Sequence, residues 1–278
     1  MAGVFVMGTT NAQTNSNVYT FPFGAAEISL LSEGQQNGRT NILISATPEI
    51  IAWYAPNGTF PNATNAFLVQ TPDKTILVDT GHGRELFHNL SELGVSPEEI
   101  DVLLLTHMHG DHIGGMLRDG EAAFPNAELY IAQPEYDYWT DSLMTNRNAA
   151  NAIEPYRDRL HLFVPDAIGA KANPLFEGVQ GIAAYGHTPG HTMFLIESEG
   201  ERLLIWGDLA HAMAFQMPHP EIAVTYDVDP QTAIRSRMET LKFVSEEGIP
   251  FAGMHIAYPG MGAIAPSGSG GYQYSPLP

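Results

Sequence analysis

The run Val102-Leu103-Leu104-Leu105-Thr106-His107-Met108-His109-Gly110-Asp111-His112 decides the fold class of this chain. Its four apolar residues predict a buried strand, which ends directly in three histidines and one aspartate. Such a strand end places imidazole and carboxylate groups at the rim of a sheet, where a rigid element can hold a metal with an open coordination position. His107 and His109 are two residues apart, so their side chains point the same way on an extended backbone. We interpret the run as a metal site, with Asp111 and His112 placed for a second metal.

The composition of the 278-residue chain limits what this site can do. With 44% hydrophobic and 15% charged residues, the chain can bury a large α/β core. Its 31 acidic and 12 basic residues give a formal charge of −19, which repels nucleic acid and anionic lipid. We therefore expect small-molecule partners without a negative charge, and neither nucleic acid nor membrane. The chain has no cysteine, so only nitrogen and oxygen donors can hold a metal.

Residues 1–17 are predicted to lie outside the folded domain. The apolar stretch 2–7 and the polar residues after it are interpreted either as the remnant of a signal peptide or as a flexible tail. A signal would direct the protein to the periplasm or out of the cell, and without one we expect a cytoplasmic protein. No run reaches the roughly 18 apolar residues of a membrane span, so we expect a soluble protein.

One domain of alternating strands and helices is predicted over residues 18–278. Segments 27–31, 65–69 and 75–79 have the pattern of strands, and the last two form a hairpin. The intervening residues 32–64 are rich in Asn, Gly and Pro and too long for an ordinary connection. We interpret them as an arm that covers a surface or a partner subunit, which favours a homodimer. The apolar residues of this arm are Ile50, Ile51, Trp53, Tyr54 and Phe60.

A long helix is predicted to begin at Asp229-Pro230, a typical cap followed by proline in the first turn. Residues Ile234, Met238, Leu241 and Val244 recur at helical spacing and predict its core face.

Three further polar residues follow predicted strands. They are His187 in the motif Gly186-His187-Thr188-Pro189-Gly190-His191, Asp208 in Gly207-Asp208, and His255 after segment 251–254. Because strand ends meet loops at the rim of a sheet, the simplest arrangement brings all three to the site of the first histidine run.

These motifs together resemble the metallo-β-lactamase superfamily, and after residue 18 the chain is similar to methyl parathion hydrolase and the N-acyl homoserine lactone lactonases. The resemblance also includes segments 77–81, 124–126 and 255–260. It implies a four-layer αββα sandwich with an N-terminal arm, and two divalent metal ions. Zinc is the default, with manganese, cobalt or iron as alternatives. The implied ligands are His107, His109 and His187 for one ion, Asp111, His112 and His255 for the other, and Asp208 as the bridge.

Other polar residues near these motifs are expected to support the ligands. His191 is interpreted as a hydrogen-bonding residue of its turn and not as a ligand, and Asp79 either accepts turn amides or orients a ligand imidazole. Trp139, Phe215 and Met217 are predicted as walls of the substrate pocket, with ordinary core packing as the alternative.

The resemblance implies hydrolysis by a hydroxide that bridges the two metals, because paired ions lower the pKa of a shared water. Asp111 is the candidate for holding that hydroxide and passing its proton to the leaving group. The smaller lactonases of the superfamily have a tyrosine three residues after the bridging aspartate, but this chain has His211 there. His211 is therefore a candidate catalytic residue that stabilises an oxyanion or donates a proton, or else lines the pocket.

Several functions fit these residues. The leading prediction is an N-acyl homoserine lactone lactonase, a quorum-quenching enzyme, with organophosphate triesterase activity in addition. We expect a neutral substrate whose apolar tail is bound partly by the arm. The alternatives are a methyl parathion hydrolase-type phosphotriesterase, a thioesterase similar to glyoxalase II, and a non-enzymatic metal-dependent binding or redox module. A class B1 β-lactamase is disfavoured because the chain has no cysteine.

Overall fold

The computed structural model describes residues 17–141, 143–144, 147–268 and 270–277. The prediction of a signal remnant or tail therefore falls almost wholly outside the described residues. Within these ranges no helix combines the length and the hydropathy needed to cross a bilayer. That residues 18–278 form one domain stays a prediction.

Two β-sheets form the centre of the described part of the chain. There, the first sheet has seven strands in the order β1 (Val18–Phe23), β2 (Ala26–Arg39), β4 (Thr59–Gln70), β5 (Thr75–Val78), β6 (Val102–Leu104), β9 (Glu128–Ala132) and β10 (Leu160–Phe163). The second sheet has six strands within the described residues, in the order β11 (Val179–Ala183), β12 (Thr192–Ser198), β13 (Glu201–Ile205), β15 (Phe251–Ala252), β16 (Met261–Pro266) and β17 (Tyr272–Pro276). Two short ribbons pair β3 (Leu43–Ile44) with β14 (Ala223–Val224) and β7 (Leu117–Arg118) with β8 (Glu121–Ala122).

Seven α-helices and three 3-10 helices alternate with these strands along the described part of the chain. The α-helices are α1 (Pro48–Tyr54), α2 (Leu86–Glu92), α3 (Gly110–Ile113), α4 (Gln133–Thr140), α5 (Asn148–Ile153), α6 (Met213–Gln216) and α7 (Pro230–Glu247). The 3-10 helices are Thr40–Ile42, Pro97–Glu99 and Glu154–Arg159.

The strand β6 shows how the layers are stacked. Val102 and Leu104 face the second sheet and share a core with its strands, whereas Leu103 faces outward into a core that α2 and α5 cover. Because both faces of β6 are buried, its sequence is continuously apolar and does not alternate. On the far side, α7 packs its Leu241 and Val244 on the second sheet. The order helix, sheet, sheet, helix confirms the predicted αββα sandwich.

The arm predicted over residues 32–64 consists largely of two paired strands. β2 continues to Arg39 and β4 begins at Thr59, and the two strands pair from Gln35 opposite Ala63 to Arg39 opposite Thr59. These strand residues are polar because several of them line an open cavity and not a core. α1 forms the tip between β2 and β4.

The predicted core face of α7 is partly wrong. Leu241 and Val244 are buried, but Met238 is 51% exposed and Ile234 is only half-buried. The buried face instead includes Arg237, whose guanidinium donates to the carbonyl oxygens of Leu209, Pro220 and Ile222. An arginine interrupts the apolar pattern, so periodicity alone places the face about one residue away from its position in the structure.

Candidate metal centre

Five strands of the two sheets end at one rim. The loops that follow β5, β6, β11, β13 and β15 carry the polar residues that the sequence places after strands. The structure therefore brings all seven predicted ligands into two adjacent groups: His107, His109 and His187 with Asp208, and Asp111, His112 and His255 beside them.

In the first group three imidazole nitrogens face one another. The distances are 3.0 Å from His107 Nε2 to His109 Nδ1, 3.0 Å from His109 Nδ1 to His187 Nε2, and 3.2 Å from His187 Nε2 to His107 Nε2. A tetrahedral ion with metal–nitrogen bonds of about 2.0 Å separates its ligand atoms by about 3.3 Å. The three nitrogens thus form a triangle close to one face of such a tetrahedron.

The second group joins the first through Asp208. Its Oδ1 lies 3.2 Å from His112 Nε2, and its Oδ2 lies 3.1 Å from His255 Nε2 and 3.3 Å from His187 Nε2. Asp111 completes this group, with Oδ2 at 3.5 Å from His255 Nε2. A carboxylate that contacts histidines of both groups occupies the position of a bridging ligand.

The donors fit divalent metal ions. His112 Nε2 and Asp208 Oδ1 are buried and face each other at 3.2 Å, and neither atom has another hydrogen-bond partner among the described residues, so a cation between them would satisfy both. Neutral imidazoles and carboxylates together suit zinc, manganese, cobalt and iron.

In three of the proposed ligand histidines, the ring nitrogen that faces away from the two groups has a hydrogen-bond partner of its own. His112 Nδ1 lies 2.7 Å from Asp79 Oδ2, His187 Nδ1 lies 2.9 Å from Asp227 Oδ1, and His255 Nδ1 lies 2.9 Å from the Ala63 carbonyl. Such acceptors fix the ring orientation and leave the other nitrogen free for a metal. Asp79 has a φ of 58°, an uncommon conformation for a residue other than glycine that often marks a functional site.

Comparison with known proteins agrees with this geometry. The family model described as the metallo-beta-lactamase superfamily matches residues 59–245, which include every proposed ligand except His255. The chain belongs to the metallo-β-lactamase superfamily. The resemblance predicted from the sequence motifs is therefore confirmed.

Individual members of the superfamily match at modest identity. An N-acyl homoserine lactonase of Bacillus cereus is 26% identical over 172 residues, covering 50% of this chain and 60% of that protein. The crystal structure of the hydrolase AbOPH has 29% identity and a TM-score of 0.83, with 96% of this chain and 99% of that chain covered. AidC, a dizinc quorum-quenching lactonase solved with its product, has 24% identity and a TM-score of 0.84, with coverages of 94% and 98%. The chain spans only 52% and 60% of the length of the first two curated relatives it matches.

His191 supports this superfamily centre without facing either group as a ligand. Its Nε2 accepts from the Asp208 backbone N–H at 2.9 Å, and its Nδ1 lies 3.0 Å from the Ala184 carbonyl. A Cβ on Gly207 would lie 2.6 Å from His191 Nε2, so the loop that carries Asp208 approaches His191 in a way that requires glycine.

The predicted catalytic residues Asp111 and His211 both line a cavity of about 670 Å³ above the centre. His211 Nε2 lies 3.0 Å from Asp208 Oδ2, and His211 Nδ1 is buried without a hydrogen-bond partner among the described residues. The backbone of His211 is held by Asn62, which donates to its carbonyl at 2.7 Å, and by Gln216, which accepts from its N–H. The roles of Asp111 and His211 stay predictions.

The three predicted pocket residues have different positions. Trp139 is half-buried, and its ring packs edge-on against His109 at 5.5 Å between centroids. Phe215 and Met217 are fully buried in two separate cores, and Phe215 packs against Phe60. The burial of Phe215 and Met217 agrees with the alternative of ordinary core packing, and none of the three residues is among those that line the cavity above the centre. They precede and follow the buried Gln216 at the end of α6, and the sequence does not indicate which side of this segment faces the cavity.

Burial and neighbouring charges shift several pKa values in the centre. Burial lowers the pKa of His109 and of His191 to about 3 each. Burial opposes charge on His187, but hydrogen bonds to Asp208 and Asp227 raise its pKa to about 9. Burial also opposes the charge of Asp208, yet the surrounding imidazoles hold its pKa well below the usual value. His187 would have to be deprotonated to bind a cation through Nε2.

Sequence reasoning missed two carboxylates that support the ligand loops, Asp227 and Glu135. Asp227 stands two residues before the recognised helix cap Asp229, where a second acidic residue is easily assigned to the same turn. Glu135 lies in the first turn of α4, a position that is typical of solvated acidic residues.

Proposed function

We propose that the protein is a dinuclear metal-dependent hydrolase that opens the lactone ring of N-acyl homoserine lactones. The observation that carries this proposal is the convergence of two ligand groups on Asp208 at the floor of one cavity. The similarity to the Bacillus cereus lactonase and the fold shared with AidC support the choice of lactone. Two divalent ions, zinc in the first instance, would when bound lower the pKa of water and polarise the substrate carbonyl.

The protein groups then handle the protons and the developing charge. Asp111 has a side chain that is 26% exposed at the cavity floor, so one carboxylate oxygen can take the proton released by water and pass it to the ring oxygen that leaves. His211 lines the cavity beside Asp208, so its imidazole can stabilise the carbonyl oxygen as negative charge accumulates there.

The cavity wall supports a neutral substrate with several carbonyl groups. The part of the wall formed by the arm, residues 32–64, carries the amide and guanidinium donors of Gln36, Asn37, Arg39 and Asn41. These groups can donate hydrogen bonds to the carbonyl of the substrate's acyl amide. Tyr226 and Ile42 are the apolar groups that would contact the tail. Among the described residues, those that line the cavity do not include the apolar arm residues Ile50, Ile51, Trp53, Tyr54 and Phe60. The tail is therefore proposed to lie along β2 and not along α1.

A phosphotriesterase is the second candidate, because a phosphoryl oxygen can occupy the place of the lactone carbonyl. The experiment compares kcat/KM on N-acyl homoserine lactones of several chain lengths, an aryl ester, a phosphotriester, a thioester and a β-lactam. We expect the lactones to be the best substrates. Half-desolvated methylenes contribute about 0.4 kcal/mol each, so kcat/KM should rise about twofold per added carbon. A higher kcat/KM for the phosphotriester, or no turnover of any lactone, contradicts the proposal.

We also propose that two copies of the chain associate through α1. Trp53 on this helix is 79% exposed, and Ile50, Ile51 and Tyr54 beside it are only half-buried. Large apolar side chains clustered at an exposed tip are typical of a protein contact.

A further inference from the structure

Glu135 is a buried carboxylate between the two loops that carry the first ligand group. It lies in the first turn of α4 and is 1% exposed. A buried carboxylate is costly unless it is fully hydrogen-bonded, so its partners indicate what it stabilises.

Both oxygens of Glu135 are saturated by donors from three segments of the chain. Oε1 accepts from the Met108 backbone N–H at 2.9 Å and from Trp139 Nε1 at 2.6 Å. Oε2 accepts from Thr188 Oγ1 at 2.6 Å and from the Gly190 backbone N–H at 3.0 Å. Met108 stands between His107 and His109, and Thr188 follows His187. One side chain therefore ties together both loops of the first group.

Close packing reinforces these hydrogen bonds. A Cβ added to Gly190 would lie 2.1 Å from the Glu135 backbone nitrogen, so the loop after His187 rests directly on the first turn of α4. Trp139, held by Glu135, places its ring edge-on against His109. The hydrogen bonds described for Glu135 do not reach Asp111, His112 or His255 of the second group.

We propose that Glu135 is a positioning residue that fixes the triangle of His107, His109 and His187 and thereby sets the affinity of the first metal site. It acts through the loops, and none of its four hydrogen bonds goes to the side chain of a proposed ligand. The proposal concerns the metal centre and is independent of which substrate is hydrolysed.

The chemistry of the four partners explains why a carboxylate is needed. All four donate, and an ionised carboxylate is a side chain that only accepts and can take four such bonds. In Glu135→Gln the amide oxygen can keep Met108 and Trp139, and the Thr188 hydroxyl can turn to accept. The Gly190 N–H would then face an N–H group, so the loop of His187 is loosened selectively. Glu135→Leu removes all four acceptor contacts.

The test measures metal affinity and not catalysis. Purified wild-type, Glu135→Gln and Glu135→Leu proteins are titrated with zinc against a competing chelator, and cobalt loading is followed by its visible absorption. Tyr156→Phe is the matched control, because the buried Tyr156 hydroxyl donates to the Met116 carbonyl and accepts from the Phe124 N–H without touching either loop. Melting of the metal-free proteins reports the purely structural cost of each change.

We expect one of the two ions to bind more weakly by roughly 10-fold in Glu135→Gln and by roughly 100-fold in Glu135→Leu, the range for groups that orient metal ligands. The other ion should keep its affinity, the cobalt absorption of the weakened site should change, and Tyr156→Phe should lower only the melting temperature. If Glu135→Leu does not fold, Trp139→Phe supplies the second variant, since it removes one donor and should weaken the same ion by a smaller factor. Unchanged metal affinities with a lower melting temperature, equal loss of both ions, or a wild-type protein that binds no metal would each overturn the proposal.

Discussion

Replacing Asp227 by asparagine should weaken one metal site far more than it destabilises the fold. The Asp227 carboxylate lies 2.9 Å from His187 Nδ1, and its second oxygen accepts from the Val224 N–H at 3.0 Å. Asparagine keeps the shape but loses the charge, so the tautomer of His187 that presents a bare Nε2 is no longer favoured. Loss of such a partner costs roughly 10- to 100-fold in metal affinity, or about 1.4 to 2.8 kcal/mol.

The cost to the metal-free fold follows from Arg237. Its Nη2 lies 4.0 Å from Asp227 Oδ2, where two charges attract by about 4 kcal/mol at an effective dielectric constant of 20. Arg237 keeps its three carbonyl acceptors in the variant, and the buried carboxylate no longer has to be desolvated. We therefore expect a net loss of about 1 to 3 kcal/mol, which lowers the melting temperature by several degrees.

The assay separates these two effects. Zinc affinity is measured by chelator competition at 25 °C, where the variant stays folded, and melting is followed with and without metal. Asp229→Asn is the matched control, because it removes the same charge two residues away and asparagine also caps helices well. If Asp227→Asn binds both ions with wild-type affinity, the assignment of His187 as a ligand held by Asp227 is refuted.

Three other changes test the remaining assignments. Asp208→Asn should lower metal content at both sites and reduce hydrolysis at least about 100-fold. His255→Ala should empty mainly the second site. Two bound metals with full activity in either variant would rule out the proposed set of ligands. His211→Phe should reduce kcat by about 100-fold with KM little changed, and a change in KM alone would make His211 a pocket wall only. Trp53→Ser should weaken the proposed dimer by about thirtyfold, equivalent to roughly 2 kcal/mol, in sedimentation equilibrium. The same molecular weight for variant and wild type across a dilution series would exclude α1 as the contact.

Much of the metal centre could be predicted because its ligands are encoded by local spacing. Each predicted ligand follows directly after a strand or lies in the short motif that continues it, as His107 and His109 do after β6. Strand ends of stacked sheets meet at one rim, so identifying the strands was nearly enough to bring the ligands together. The same strand-end motifs also predict His191 as a hydrogen-bonding residue and Asp79 as an acceptor of either turn amides or a ligand imidazole.

The pocket and the arm could not be predicted in the same way. Phe215 and Met217 have the composition of a pocket wall, but they lie in separate cores, and the cavity is lined instead by polar residues of β2 such as Gln36 and Asn37. These strand residues do not alternate between apolar and polar because they extend beyond the core, so they lack the pattern that identifies a strand.

The sequence by itself determined which residues can hold metals, because imidazole and carboxylate groups at strand ends are specified by neighbours in the chain. Only the tertiary structure decided how His187 and the loops of the first ligand group are held in place. His187 is oriented by Asp227, and Met108 and Gly190 are joined by Glu135, although these partners are far apart in the sequence. A hydrogen bond between distant segments depends on how the helices and loops pack on the sheets. The short motif that contains a ligand does not contain the acceptor that orients it.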